Sequence, residues 1–540
     1  MKRIYQIAIF VLLLSYPCAT FAQDTTFNRV VTVERDYQPE VQEAQAISTT
    51  PTFIQYTPQL NPVVYSTYSE PLSIGYNLHA LPPSETKFSS PTPLNGILEG
   101  AVGYRNTHLL FGYRMKYKKK MSLDLYANHD AYWGKDALSE SRLGLQATRH
   151  FSSADLYFGL DAQNEAYAYQ PAFDWRTLWN VKAKLGVCSS KNDPIQYRVQ
   201  TGYNAFFVTN YAVEHQVRSY LNFSWQADYH KAGVNAYVQN NFYSVTDTII
   251  GTSISSRHAI RIEPFYEFKN RYIRLHAGVN IDMNIGNGTM LSSTENLSFA
   301  PSPNVTFEWH MMDNLFHLYA NAQGYYGIGS LQEYLGYNRY LDIPQGVAWN
   351  TPRTYTPVDA QIGFKIRPLP TLLLDVYGGY AYMSDAYNMY ASVDSVKVTN
   401  YELFLTDYHR WKVGASLHYH LRDIVELNVD GNYYFWRTAA DAVVYDRPNW
   451  DLKARVDVHI DSKWSLYSDN YFAGSRTAFT SEGEKTLRPT IALNIGCSYA
   501  VNRWLLAYVQ LNDYLHRKND ILYGYQAQGC HFLLGIKYKF

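Results

Sequence analysis

Leu452-Lys453-Ala454-Arg455-Val456-Asp457-Val458-His459-Ile460 decides the fold. Leu452, Ala454, Val456, Val458 and Ile460 share one face of an extended chain, and Lys453, Arg455, Asp457 and His459 share the other. Successive side chains of a strand point to opposite sides, so this segment is a strand with one apolar and one charged face. The same period runs through residues 273–285. There Leu275, Ala277, Val279, Ile281 and Met283 oppose Arg274, His276, Asn280, Asp282 and Asn284. Val425, Leu427 and Val429 oppose Glu426, Asn428 and Asp430 in the same way. So do Val358, Ala360, Ile362, Phe364 and Ile366 against Asp359, Gln361, Lys365 and Arg367.

A soluble β-sandwich also alternates, but its strands run to roughly 5–6 residues. Several runs here continue for about 12, close to what crosses a bilayer at a tilt. Composition points the same way. The chain is 46% hydrophobic, with 50 Tyr, 11 Trp and 25 Phe, yet after residue 22 no apolar run is long enough for a spanning helix. A barrel with a lipid-facing apolar band, a polar interior and aromatic girdles accounts for all of these features.

The first 22 residues read as an export signal. Lys2 and Arg3 are followed by the apolar run Ile4 to Leu14, and Thr20 and Ala22 are small residues suited to cleavage before Gln23. Cys18 is a poor lipidation site because Tyr16 and Pro17 precede it. Residues 23–93 form a second region, a periplasmic extension or short lumen insert, that holds Pro39, Pro51, Pro58, Pro62, Pro71, Pro82, Pro83, Pro91 and Pro93. Prolines this dense, without periodicity, predict an extended segment. Residues 94–540 form the barrel.

Short turns are expected at residues 118–120, 152–153, 191–194, 230–231, 269–271, 312–314, 368–370, 422–423, 461–463 and 502–503. Longer polar loops are expected around 246–256, 287–297, 328–354, 385–402, 437–447, 474–486 and 517–526. Short periplasmic turns and long extracellular loops are the usual asymmetry of outer-membrane barrels. The breaks between them predict an all-β, antiparallel transmembrane barrel of about 22 strands, within a range of 18 to 22. An even number returns both ends of the barrel to the periplasm.

The final segment, His531 to Phe540, places Phe532, Leu534, Ile536, Tyr538 and Phe540 on one face and stops on an aromatic residue. It resembles the C-terminal strand that the outer-membrane assembly machinery recognises. By length and strand number, residues 94–540 are similar to the barrels of TonB-dependent receptors, and the run Tyr523 to Gly529 followed by Phe532 and Phe540 resembles their closing hairpin. The resemblance implies an integral protein of a Gram-negative outer membrane, surrounded by its lipid, with transport or channel function. Those receptors also carry a folded plug about twice as long as residues 23–93, so energised uptake is not implied.

Three functions remain open: a transport or channel barrel with residues 23–93 gating the lumen, a scaffold or partner subunit of an envelope complex, and a barrel enzyme. Val30, Val31, Thr32 and Val33 form an apolar segment suited to pairing with the edge of a periplasmic or outer-membrane partner, or to packing locally. His418 and His420 share a face with Lys412, but no third ligand is identifiable, so a solvated lumen wall is the better reading. Asn280, Asp282 and Asn284, like Asn428, Asp430 and Asn432, are expected to bond across strands rather than to line a binding path. Tyr325, Tyr326, Tyr334, Tyr337 and Tyr340 cluster at the longest loop, either as rim aromatics or as a carbohydrate platform. Trp411, Trp464 and Trp504 are expected in the periplasmic girdle.

No nucleotide loop, zinc-helix motif or cysteine pair is present. Neither catalysis nor a cofactor is therefore expected. Cys188, Cys497 and Cys530 read as incidental apolar residues. With 47 basic and 47 acidic residues the formal charge is zero, which gives no support for nucleic-acid binding.

Overall fold

The computed structural model describes residues 95–540 apart from 118–119, 135–136, 170–173, 190–193, 246–255, 286–296, 312–314, 328, 342–353, 395–396, 423 and 439–442. Residues 1–94, among them Val30, Val31, Thr32 and Val33, lie outside the described residues.

Period-2 alternation over long segments produces strands, and their backbone groups must pair with one another where no water can reach them. The result is a closed antiparallel barrel of 22 strands. Each wall strand pairs with the wall strands before and after it in the chain. One small hairpin, Arg476–Thr480 with Gly483–Leu487, is inserted between Trp464–Ala473 and Thr490–Ala500, which pair directly beneath it.

Closure is made by the first strand, Gly96–Gly103, against the last, His531–Lys539. Its register sets Glu99 opposite Lys537, and their charged ends meet inside the wall at 3.5 Å. At the foot of the seam the amides of Asn95 and Gly96 donate to the Phe540 carbonyl at 2.8 and 2.7 Å. The Phe540 amide returns a bond to the Gly96 carbonyl at 3.0 Å. Phe532, Leu534, Ile536, Tyr538 and Phe540 are all exposed on the outer face, whereas His531, Leu533 and Lys537 are buried. Phe540 also stacks on Tyr113.

The faces follow the sequence pattern. Val279 and Ile362 stand exposed on the outside, and Asn280, Asp282 and Asn284 are buried on the inside. Asp457 is also buried, accepting from Arg455 Nε at 2.8 Å. Wall strands are joined at one end of the barrel where the ten short turns are expected, and at the other where the seven long loops are expected. Two details differ from expectation. Residues 385–402 are not a loop, because Leu372–Asp394 and Lys397–Leu421 continue pairing as strands of 23 and 25 residues. Trp411 does not follow a turn. It lies in mid-strand opposite Tyr380 and Phe435, and with exposed Tyr433, Phe435 and Trp450 it belongs to the aromatic belt of the long-loop end. Trp464 and Trp504 do flank turns at the opposite end. Cys188, Cys497 and Cys530 are free thiols.

Gly103 shows how tight the seam is. A Cβ at this position would lie 1.6 Å from the Phe532 carbonyl oxygen, and backbone cannot swing aside as a side chain can. Gly103→Ala is therefore expected to abolish the heat-modifiable folded band on electrophoresis. Gly336→Ala, where nothing lies within 4 Å, should leave that band intact.

Candidate functional site

A barrel of 22 strands is too wide for wall side chains to fill. At its long-loop end the connection between Phe316–Tyr326 and Tyr355–Leu369 supplies an insert. Residues 329–341 leave the wall, form the short helix α1 (Leu331–Tyr337) and meet inward-facing side chains of distant strands.

Local chemistry builds the helix. Ser330 is its N-cap, accepting from the Glu333 amide at 3.0 Å, while the Glu333 carboxylate accepts from the Ser330 amide at 3.4 Å. This reciprocal capping box satisfies amides that a short helix leaves without partners. The wall supplies another acceptor, since the Leu331 amide donates to Glu214 Oε2 at 2.6 Å. Before the helix, Gly329 turns with φ +65°, and a Cβ there would fall 2.4 Å from Tyr334 Oη and 2.8 Å from Arg257 Nη1. Both the turn and the close approach require glycine at this position.

Two arginines hold the ends of this cap. Arg257 Nη1 donates to the Gly329 carbonyl at 2.6 Å, and Arg176 Nη1 donates to the Leu341 carbonyl at 2.7 Å. Arg339 pairs with Glu165 at 2.8 Å, and Asn204 Nδ2 donates to Gln332 Oε1 at the same distance. On the other side, Tyr337 donates to the Tyr387 carbonyl at 2.9 Å and Tyr334 meets the Tyr387 ring edge-on. Tyr340 stacks on Tyr525 of the last loop with ring centroids 3.6 Å apart. Leu331, Tyr334, Leu335 and Leu341 are buried in one apolar cluster with Leu178, Phe206, Met389 and Tyr401. The cap thus joins strands numbered from the fifth to the tenth around the wall with the fifteenth and sixteenth, on the other side of the mouth.

Above it lies a second layer of loops. Arg476 donates to the Ile521 carbonyl at 2.9 Å, and the Arg447 guanidinium lies over the rings of Tyr408 and Trp436. Asp446, at φ 57°, has its amide bonded to the Thr477 carbonyl. Burial raises its carboxyl to about 7 despite nearby Arg476 and Arg447. Burial likewise raises Asp513 to about 6, against the opposing effect of His516 and Arg517.

Below the cap the wall is polar and cross-bonded. Glu263 accepts from Asn304 at 2.6 Å and Asn235 at 2.9 Å, and meets His276 at 3.2 Å. Asp282 accepts from Arg261 Nε, and Asn280 donates to the Gly324 carbonyl. Asn432 bonds Asp451 and Tyr377, and His418 bonds Asn428, as expected of a cross-bonded wall, whereas neither polar atom of the buried Asn284 side chain finds a partner among the described residues. His420 is exposed, and Lys412 lies over the Tyr377 ring instead of joining the two histidines. Tyr325 and Tyr326 remain in the wall beside Thr356 and Tyr355. Tyr334, Tyr337 and Tyr340 pack into the cap and offer no open stacking platform. The cap's fasteners, Arg176, Glu214 and Arg257, escaped the sequence reading. Each occupies an ordinary inward position, and its partner lies 72 or more residues away.

No family model matches the chain, and no curated protein matches it in sequence. Solved structures do match. The copper transporter OprC superposes with a TM-score of 0.65 at 11% identity, covering 83% of this chain and 80% of that one. The ferric enterobactin receptor PfeA of Pseudomonas aeruginosa gives 0.66 at 9%, covering 83% and 82%. The FrpB iron transporter of Neisseria meningitidis gives 0.65 at 9%, covering 83% and 82%. The fold is that of a TonB-dependent receptor barrel. At such identities the likeness speaks for the fold alone. These neighbours are transporters and receptors, not enzymes.

The raised carboxyls of Asp446 and Asp513 make the loop layer pH-sensitive. A folded-state value above the ordinary 3.8 means that the folded loops bind protons more tightly than unfolded ones. Their contribution is complete below about 4 and declines as pH rises through 6 and then 7. Limited proteolysis should cut within 443–449 and 513–530 faster at pH 8 than at pH 5. Asp446→Asn should remove the difference in the first loop.

Proposed function

We propose that this protein is an outer-membrane transport barrel whose mouth is closed by residues 329–341 and whose passage opens when that cap moves. The observation that carries this function is the cap itself, a loop that spans the mouth and is tied at its ends by side chains of the wall. Arg257 and Arg176 bind carbonyl oxygens, contacts that break without covalent change and re-form in the same place. The polar wall beneath is suited to a hydrated solute. Residues 23–93, whether periplasmic extension or short lumen insert, are proposed as a second means of closure, and Val30 to Val33 as a segment for contact with a periplasmic or outer-membrane partner. The outward set Phe532, Leu534, Ile536, Tyr538 and Phe540 serves the assembly machinery during insertion.

A scaffold role is the alternative, and the hairpin of Leu372–Asp394 and Lys397–Leu421 favours it. These are the longest strands of the wall, and the outer part of the hairpin pairs with the accessory strand Arg476–Thr480 through Tyr390 and Ala391. Such an outgrowth offers a rigid surface to a partner.

Planar-bilayer recording distinguishes the two. Full-length protein should conduct rarely, and deletion of residues 24–93 should raise conductance. Arg257→Met combined with Arg176→Met should raise open probability, since each charged hydrogen bond contributes about 1.5–3 kcal/mol. If the wild type, the deletion and the double variant are all silent, the transport function is wrong. Co-purification of a stable envelope partner would then favour the scaffold.

A further inference from the structure

Below the cap, near the short-turn end, the wall carries a cluster that neither the cap nor the barrel closure uses. Strands Leu297–Met311 and Phe316–Tyr326 form a hairpin that sets His310 directly opposite His317. The His310 amide donates to the Tyr272 carbonyl, on the far side of its strand, at 2.7 Å. Amide and carbonyl of one strand residue point the same way, so His310 and His317 form a non-hydrogen-bonded pair, the arrangement that brings side chains closest. Their rings accordingly stack with centroids 4.1 Å apart and planes 12° from parallel. Glu308, two residues earlier on the same lumen-facing side, brings Oε2 to 3.8 Å from His310 Nε2.

We propose that Glu308, His310 and His317 form a binding site for one divalent transition-metal ion. One ligand atom from each lies within 4.8 Å of the others. Donors on a tetrahedral ion with bonds of about 2.0–2.1 Å stand roughly 3.3 Å apart. Binding one ion requires the two stacked rings to turn out of parallel so that a nitrogen of each faces it. Two imidazoles and one carboxylate suit Zn(II), Cu(II) or Ni(II) better than Mg(II) or Ca(II), which favour all-oxygen sets. Three protein ligands leave further positions to water, and the lumen supplies it.

The surroundings orient this set. Arg274 Nη1 holds Glu308 Oε1 at 3.4 Å, leaving Oε2 turned towards His310. Arg274 Nε is itself fixed by Glu267 at 3.1 Å. Lys365, paired in register with His317, lies over the Tyr319 ring and 3.8 Å from Asp375 Oδ2. The carboxylates of Glu308, Glu267 and Asp375 face Arg274, Lys365 and, 3.9 Å from Glu267, His276, so the charges around the site are close to balanced. The side chains are 12%, 25% and 6% exposed for Glu308, His310 and His317. They are embedded in the wall yet open to the lumen through His310. The site is independent of transport and holds whether or not the barrel conducts.

Full-length protein in detergent, without a histidine tag and stripped with a chelator, should bind one equivalent of Cu(II). Its electron paramagnetic resonance spectrum should show splitting from two imidazole nitrogens. His310→Asn and His317→Asn should each weaken binding roughly tenfold or more. His418→Asn, a lumen histidine bonded to Asn428 outside the cluster, should not. Heat-modifiability identifies variants that remain folded. A measurement on the wild type needs no variant: Zn(II) should protect His310 and His317 from diethylpyrocarbonate, mapped by mass spectrometry. Undiminished binding in folded variants, or labelling of both histidines unchanged by Zn(II), would overturn the site.

Discussion

The pairing of Gly96–Gly103 with His531–Lys539 is the contact on which everything else depends. An open sheet in lipid would leave a row of backbone donors and acceptors without partners, each costing several kcal/mol. Closure removes that cost only if the last strand finds the first, more than 400 residues away. The seam is specified on both faces. Inside, Glu99 meets Lys537; outside, the Phe540 ring occupies the space that a Cβ on Gly96 would need. A slip of one residue would put Lys537 into lipid and Leu534 into the lumen.

Closure at this strand number creates the next constraint. A small barrel fills its interior with wall side chains, whereas this one cannot. Its interior is instead lined by groups that satisfy one another across strands, with Glu263 the clearest example because three neighbours converge on it. On the proposed transport function, selectivity would come from what crosses the opening, and the only helix among the described residues lies there.

The wall was legible in the sequence because an apolar outer face and a polar inner face impose a strict rule at every second residue. Leu452 to Ile460 and Ile273 to Ile285 needed only their period to assign both faces, and the turns followed from where that period broke. The hairpin 385–402 was misread for the same reason. Beyond the bilayer each face packs against protein, so Ala386, Tyr387, Asn388 and Met389 are all buried and the period disappears. The cap left no periodic trace either. Ser330 and Glu333 did carry the spacing of a capping box, but one helical turn inside a strand-rich chain is a faint signal. Glu308, His310 and His317 were hidden differently. Their spacing, Glu-x-His followed by six residues and a second His, becomes meaningful only once the pairing of Leu297–Met311 with Phe316–Tyr326 fixes which residues face each other.

On the proposed gating function, the balance of forces in the cap sets how it would move. Burial of Leu331 and Leu335 contributes about 3–6 kcal/mol, an upper range because the detached loop would retain some burial. That is comparable with the roughly 3–6 kcal/mol contributed by its two end-fastening arginines. The cap is therefore not a loose flap held by polar catches. Tyr340 cannot leave while Tyr525 stacks on it, and Tyr334 and Tyr337 are engaged by Tyr387 on the long hairpin. Opening requires the last loop and that hairpin to shift with α1, as one unit. A stimulus that acts on the outer loop layer, where Asp446, Arg447 and Arg476 sit, reaches the cap through these same rings. The loops above the mouth and the helix across it are mechanically one element, and the polar wall beneath can remain still while they move.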